Sequence, residues 1–130
     1  MDFSWTDEQS ALRESVIQFS RMELKDFPGR HDAEHTFNRS GWNKCAEYGI
    51  QGLHIPACYG GGGLDALSTV AALEALGYAC RDNGLIFAIN AQVWGCEVPI
   101  LSFGTEAQKL RCLPKLCSGE WIGGLAAAEP

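Results

Sequence analysis

Two histidines four residues apart, His31 and His35, would share one helix face and offer a pair of imidazoles to zinc. The residues between them, Asp32-Ala33-Glu34, break the H-E-x-x-H pattern, so residues 29–37 are expected to form a solvated loop or short turn. His54, set between Leu53 and Ile55, is expected to pack. Tyr59 is followed by Gly60, Gly61, Gly62 and Gly63, a run whose backbone amides could close around a phosphate. No G-x-G-x-x-G, no Walker lysine and no βαβ context accompanies it, and a structural turn into the next helix is expected instead. Glu74 is the one charge in the apolar stretch 66–79, with no acid or base paired beside it, so it is expected at the surface or in a structural hydrogen bond. The six cysteines, Cys45, Cys58, Cys80, Cys96, Cys112 and Cys117, form no C-x-x-C and are expected as free thiols, several of them buried.

A different kind of signal comes from Phe87, Ala88, Ala91 and Gly95. Their spacing lines one helical face, and most of that face is small. Small residues serve either close helix packing or room left for a ligand, and the pattern alone favours packing.

The elements that would carry these residues read as helices. Thr6-Asp7-Glu8-Gln9 is a capping box opening a first helix over residues 7–25, with Leu12, Val16 and Phe19 on one face. Asp26, Pro28 and Gly29 stop it. Asn38 caps a second helix in which Trp42, Cys45 and Ala46 share a face, and Gly49 closes it. Residues 50–56 read as an extended apolar crossing. Asp65 caps a third helix, 66–79, apolar nearly all round and therefore central. Asp82 or Asn83 caps a fourth running from Gly84 to Phe103, with a kink or break at Pro99. Thr105-Glu106-Ala107-Gln108 starts a fifth, interrupted at Pro114. Residues 121–128 carry no charge and no cap and read as an extended strand.

The chain of 130 residues suits one domain, and 46% hydrophobic with 20% charged residues is a globular balance. Sixteen acidic against ten basic residues, without a Lys/Arg cluster, argue against nucleic acid as a partner. The longest uncharged run, 48–64, is broken by glycines and Pro56, so no membrane helix is expected there, and no secretory signal is visible at the N-terminus. A cytoplasmic protein is expected.

Taken in order, a set of these residues resembles the acyl-CoA dehydrogenase family. The resemblance runs through Thr6-Asp7-Glu8-Gln9; Trp42 with Glu47-Tyr48-Gly49-Ile50; and Ile55-Pro56 with Tyr59-Gly60-Gly61. It continues through Pro99-Ile100, Phe103-Gly104-Thr105-Glu106, Gln108-Lys109, Leu113-Pro114 with Leu116, and Gly119-Glu120. It closes on residues 126–130, which look like the family's strand leading into T-E-P-x-A-G-S-D. Each motif is weak alone; their order and spacing carry the signal.

The resemblance implies an all-α helical bundle of five to six helices over residues 1–119, followed by residues 120–130 as the first strand of a middle β-domain. It implies a complete subunit with a further C-terminal helical bundle and FAD as cofactor. In such enzymes a carboxylate in that bundle removes the proton α to a thioester carbonyl while the β-hydrogen leaves as hydride to the flavin. No catalytic residue is therefore assigned here. Leu125, Ala127 and Ala128 match positions lying against the flavin, chiefly through backbone groups, with Ala128 where a threonine hydroxyl commonly stands. Phe87, Ala88, Ala91 and Gly95 match positions that wall the acyl pocket, which reverses the packing-first reading. The implied partners are an acyl-CoA or acyl-carrier-protein substrate, electron-transferring flavoprotein or another acceptor, and further copies in a homodimer or homotetramer. The run 82–88, with Ala66-Leu67-Ser68-Thr69 upstream, looks somewhat like dehydrogenases of polyketide and nonribosomal-peptide pathways. An oxidase or flavin monooxygenase of the same fold, and a non-catalytic helical binding module, are the alternatives.

Overall fold

The computed structural model describes residues 4–25 and 28–128. Helix α1, Asp7–Glu23, begins at the expected capping box: Thr6 Oγ1 accepts from the Gln9 amide at 3.2 Å, and Gln9 Oε1 accepts from the Thr6 amide at 3.1 Å. It ends two residues short of the expected Lys25, where the Leu24 amide makes its last bond to Ser20. The expected stop at Asp26 lies outside the described residues. Where a loop or turn was expected, a six-residue helix α2, Pro28–Ala33, forms first, and His31 Nδ1 then lies 3.1 Å from Thr36 Oγ1.

Helix α3, Arg39–Tyr48, is capped as expected by the Asn38 side chain, which accepts from Gly41 N at 2.8 Å, and closes on Gly49 at φ 94°. The extended crossing expected over residues 50–56 does not form. The chain coils back in successive turns, Gly52 N to Gly49 O and Ile55 N to Gly52 O, before a short 3-10 turn, Ala57–Tyr59. The glycine run is the reason. Amides of Gly62, Gly63 and Leu64 donate to the carbonyls of Gly52, Ile55 and Leu53, each at 2.8 Å. A Cβ on Gly61 would sit 2.0 Å from the Ile55 oxygen, so only glycine permits this approach. The run is a structural turn, as expected.

Helix α4, Ala66–Ala79, keeps its expected bounds, with Asp65 accepting from Ser68 N at 2.7 Å. Ala71, Ala72, Leu73, Ala75 and Leu76 are buried, whereas Leu67, Val70 and Tyr78 are exposed. The helix is central on one side only, which corrects the all-round burial expected from its composition. It packs chiefly on α1, and Arg13 of α1 pairs with Glu74 at 2.9 Å, a structural contact at the surface.

Asp82 caps helix α5, Asn83–Gln92, by accepting from Leu85 N at 2.9 Å. α5 runs through a π turn, Val93–Glu97, into α6, Val98–Phe103, making one rod from Asn83 to Phe103. Pro99 neither breaks nor ends it. The wide turn, closed by Val98 N to Val93 O, absorbs the irregularity just ahead of the residue that lacks an amide proton. By length and composition this rod is apolar enough to cross a membrane, which the reading of uncharged runs had not singled out. Leu85, Ile89 and Val93 are buried in the main core, whereas Phe87 and Phe103 are exposed.

Helix α7, Glu106–Cys117, opens on the second capping box, Thr105 with Gln108. It is not interrupted at Pro114. The proline forfeits only its own donation toward Leu110, an exposed position, while its carbonyl still accepts from Ser118 N at 3.0 Å. Counting the α5–α6 rod once, the bundle has six helices, and no strand occurs among the described residues. The main core joins Val16 and Ile17, Trp42 and Cys45, Ala72, Leu73, Ala75 and Leu76, and Leu85, Ile89 and Val93; a smaller one joins Ile55, Leu113 and Cys117. All six cysteines are free, with Cys45, Cys80, Cys96 and Cys117 buried. His54 is half-buried and its Nδ1 lies 3.1 Å from the Leu64 carbonyl.

Candidate functional site

The Asn83–Phe103 rod carries Phe87, Ala88 and Ala91 on α5 and Gly95 in the π turn. Phe87 is 76% exposed and Ala91 is exposed, while Ala88 and Gly95 are half-buried, Ala88 because it leans on the main core. These residues form an open wall.

The segment after α7 comes back to this wall. Gly119, at φ 72°, offers its carbonyl to Trp42 Nε1 and to an Arg39 guanidinium nitrogen, both at 3.0 Å. Four residues on, Gly123 N donates to Gln92 Oε1 at 2.8 Å. Leu125 then lies over Gly95: a Cβ on Gly95 would stand 3.7 Å from Leu125 Cβ. One expected pocket residue and one expected flavin residue are thus neighbours. Leu125 is nevertheless 68% exposed, Ala127 and Ala128 are exposed, and a Cβ on Gly124 would meet nothing within 4 Å. Leu125, Ala127 and Ala128 offer only apolar surface and backbone groups there. Residues 124–128 pair with no strand among the described residues, and the last two residues of the expected strand, Glu129 and Pro130, lie outside them.

The residues that anchor this arrangement escaped the reading of the sequence. Gln92 is fully buried, and its Nε2 donates to Glu97 Oε1 at 2.8 Å and to the Leu116 carbonyl at 3.1 Å. Glu97 is fully buried too, and its Oε2 has no hydrogen-bond partner. Burial pushes the Glu97 carboxyl up to about 7, against a smaller downward pull from the Gln92 amide. Burial and the adjacent Glu97 push the Cys117 thiol up to about 12 and raise that of Cys96, so neither is a nucleophile at neutral pH. A signal was present: Glu97 is the one charged residue between Asp82 and Glu106.

A separate groove of about 520 Å³ lies at the other end of α5, lined by His31, Asp32, Thr36, Asn38, Arg81 and Asp82 among others. Its walls mix charge of both signs and include neither Phe87 nor Gly95, so it is not the acyl wall.

The comparisons with known proteins show the family. The family described as "Acyl-CoA dehydrogenase, N-terminal domain" matches residues 6–120. An L-prolyl-[peptidyl-carrier protein] dehydrogenase of Pseudomonas fluorescens is 42% identical over 130 residues, covering 100% of this chain and 34% of that protein. A short-chain specific acyl-CoA dehydrogenase of Clostridium acetobutylicum is 35% identical over 130 residues, again 100% of this chain and 34% of that protein. Among solved structures, the prolyl acyl carrier protein oxidase AnaB superposes with a TM-score of 0.88 at 52% identity, covering 92% of this chain and 32% of AnaB. An FAD complex of PigA superposes with a TM-score of 0.86 at 32% identity, covering 94% of this chain and 32% of PigA. The chain spans about a third of the length of the curated relatives it matches.

Proposed function

This chain belongs to the acyl-CoA dehydrogenase family, and on that premise we propose that it supplies one wall of the acyl pocket and one edge of the FAD site in a flavin-dependent α,β-dehydrogenase. The substrate we propose is a small aminoacyl group, of prolyl type, held as a thioester on a carrier protein. The observation that carries this reading is the pairing of the open Phe87, Ala88, Ala91 and Gly95 wall with Leu125 laid over Gly95. Acyl wall and flavin edge then adjoin, as a reaction that moves hydride from substrate to flavin requires. The carrier-protein refinement is supported by the identities to a peptidyl-carrier dehydrogenase and to AnaB, 42% and 52%, against 35% to the acyl-CoA enzyme.

The residues present fit FAD in one respect. Residues 124–128 leave backbone groups and open space on one side, where a planar ring could lie, and Ala128 adds no hydroxyl. Bound FAD would supply the hydride acceptor. This chain's own part is to exclude water and shape the pocket. Ala91 and Gly95 leave volume beside the helix, and Phe87 limits depth or stacks on a ring. The catalytic carboxylate and the homodimeric or homotetrameric assembly belong to the parts that the longer relatives carry beyond this third, and the electron acceptor is a separate partner, electron-transferring flavoprotein or another.

The test is a chimera in which this chain replaces the matching third of the Pseudomonas fluorescens enzyme. Oxidation of a prolyl thioester on a carrier protein, with little turnover of butyryl-CoA, is the expected result. A chimera that binds FAD and prefers butyryl-CoA would sink the carrier-protein assignment. An oxidase is the second reading, favoured by the likeness to AnaB. Substrate reduction of the chimera under argon, followed by rapid reoxidation in air, would select it.

A further inference from the structure

Gln92 and Glu97 are five residues apart, which on a regular α-helix would place them about 140° apart around the axis. The π turn Val93–Glu97 removes that separation, and Gln92 Nε2 reaches Glu97 Oε1 at 2.8 Å. Both side chains are fully buried. Both protons and the oxygen of the Gln92 carboxamide have partners: Nε2 donates to Glu97 and to the Leu116 carbonyl of α7, and Oε1 accepts from the amide of Gly123. The last of these spans 31 residues of chain.

We infer that Gln92, braced by Glu97, is the positioning residue that clips the segment bearing Leu125, Ala127 and Ala128 onto the acyl-wall helix, and so sets the register of that segment. Three observations besides the hydrogen bond converge on the same clip. Gly119 is pinned upstream by Trp42 and Arg39, so the segment is held at two points four residues apart. Gly123 packs so closely on the π turn that a Cβ there would lie 3.0 Å from Cys96 Cβ and 3.1 Å from Cys96 Sγ. Beyond the clip, Leu125 lands on Gly95, and the residues after it face open space. The carboxamide suits the task because it donates and accepts at once, and an aliphatic side chain of equal length would leave the Gly123 amide without this partner and the Leu116 carbonyl with the Gly119 amide alone. The clip rests on these contacts alone; that the clipped segment faces a flavin rests on the function proposed above.

Amide hydrogen exchange of the chain, read residue by residue by NMR, tests it. Gln92→Met is expected to speed exchange at Gly123 about tenfold relative to core amides such as Ile89 and Leu113, the scale of one lost hydrogen bond. Glu97→Leu is expected to do the same in part, whereas Glu97→Gln, which keeps an acceptor for the Gln92 amide, holds the wild-type rate. Gly123→Ala keeps the Gln92 and Glu97 side chains and decides the matter should Gln92→Met fail to fold: the added Cβ crowds Cys96, and faster exchange at the amide of position 123 with the core unchanged supports the clip. Wild-type exchange in either Gln92→Met or Gly123→Ala overturns it. Titration with FAD separates the two readings. Shifts at the Leu125, Ala127 and Ala128 amides that vanish in Gln92→Met support both. FAD held equally by the chimera with and without Gln92→Met, with Gly123 protection still lost in Gln92→Met, keeps the clip and removes the flavin.

Discussion

Phe87 is a large apolar side chain that belongs to neither core. A phenylalanine in a core costs about 3–5 kcal/mol on truncation to alanine. Phe87 is 76% exposed, so Phe87→Ala is expected to change the stability of the chain by no more than about 0.5 kcal/mol. The same substitution in the chimera is expected to alter the preference among acyl groups, since it deepens the wall. Unchanged urea unfolding together with unchanged selectivity would remove Phe87 from the pocket. Gly61 is the opposite case. It touches no part of the acyl wall, but Gly61→Ala would drive a Cβ to 2.0 Å from the Ile55 carbonyl oxygen and 2.5 Å from that of Gly52. That contact cannot relax without opening the 50–64 turns, and a loss of about 3 kcal/mol is expected in urea unfolding. A loss below about 1 kcal/mol would mean that the turns repack freely.

At the scale of elements, what could be read in advance was what is local. The side chains of Thr6, Asn38, Asp65 and Thr105 each cap the helix their residue type announced, because a cap needs only an oxygen and an amide two or three residues away. The failures are non-local or depend on what a neighbour leaves open. Residues 50–56 alternate in a way that suggests extension, yet glycines eight to ten positions later draw their carbonyls into turns. Pro114 was expected to break α7, but helix geometry deprives only a single carbonyl at an exposed position. Of the candidate site, the Phe87 to Gly95 stripe was legible from helical spacing. The Gln92–Glu97 pair was not, because five residues is the wrong interval for a helix face until a π turn intervenes. That turn has a measurable consequence. Glu97 sits at about 7 when folded against an ordinary 4.5, so between those values the folded chain binds the proton more tightly than the unfolded one. The stability it contributes is therefore complete below about pH 4.5 and is lost as pH rises through about 7. Urea unfolding is expected to show a loss of roughly 3 kcal/mol at most between about pH 5 and about pH 8. Glu97→Gln is expected to flatten that slope; an identical slope in the variant would place the titration elsewhere.

At the scale of the whole chain, the two cores and the open wall divide the labour. The main core ties α1, α3, α4 and α5 together, and the smaller one ties α7 to the turns before α4, so neither core includes Phe87, Ala91 or residues 124–128. What is left outside both cores is a set of apolar side chains, Leu67, Val70, Phe87, Phe103 and Leu125, all exposed. In the flavin reading, some of these surfaces are one side of contacts whose other side the longer relatives supply. A flavin held by one edge gains only a few backbone hydrogen bonds and limited apolar contact, and must still offset the freedom lost on binding. The chain purified alone is therefore expected to be colourless, with no visible flavin absorbance after gel filtration in the presence of FAD. The chimera is expected to come off the same column yellow, with FAD near one per subunit. A yellow, stoichiometric complex of the chain by itself would mean that residues 119–128 and the α5 wall already form a closed site, and that the role assigned here to the rest of the enzyme is too large.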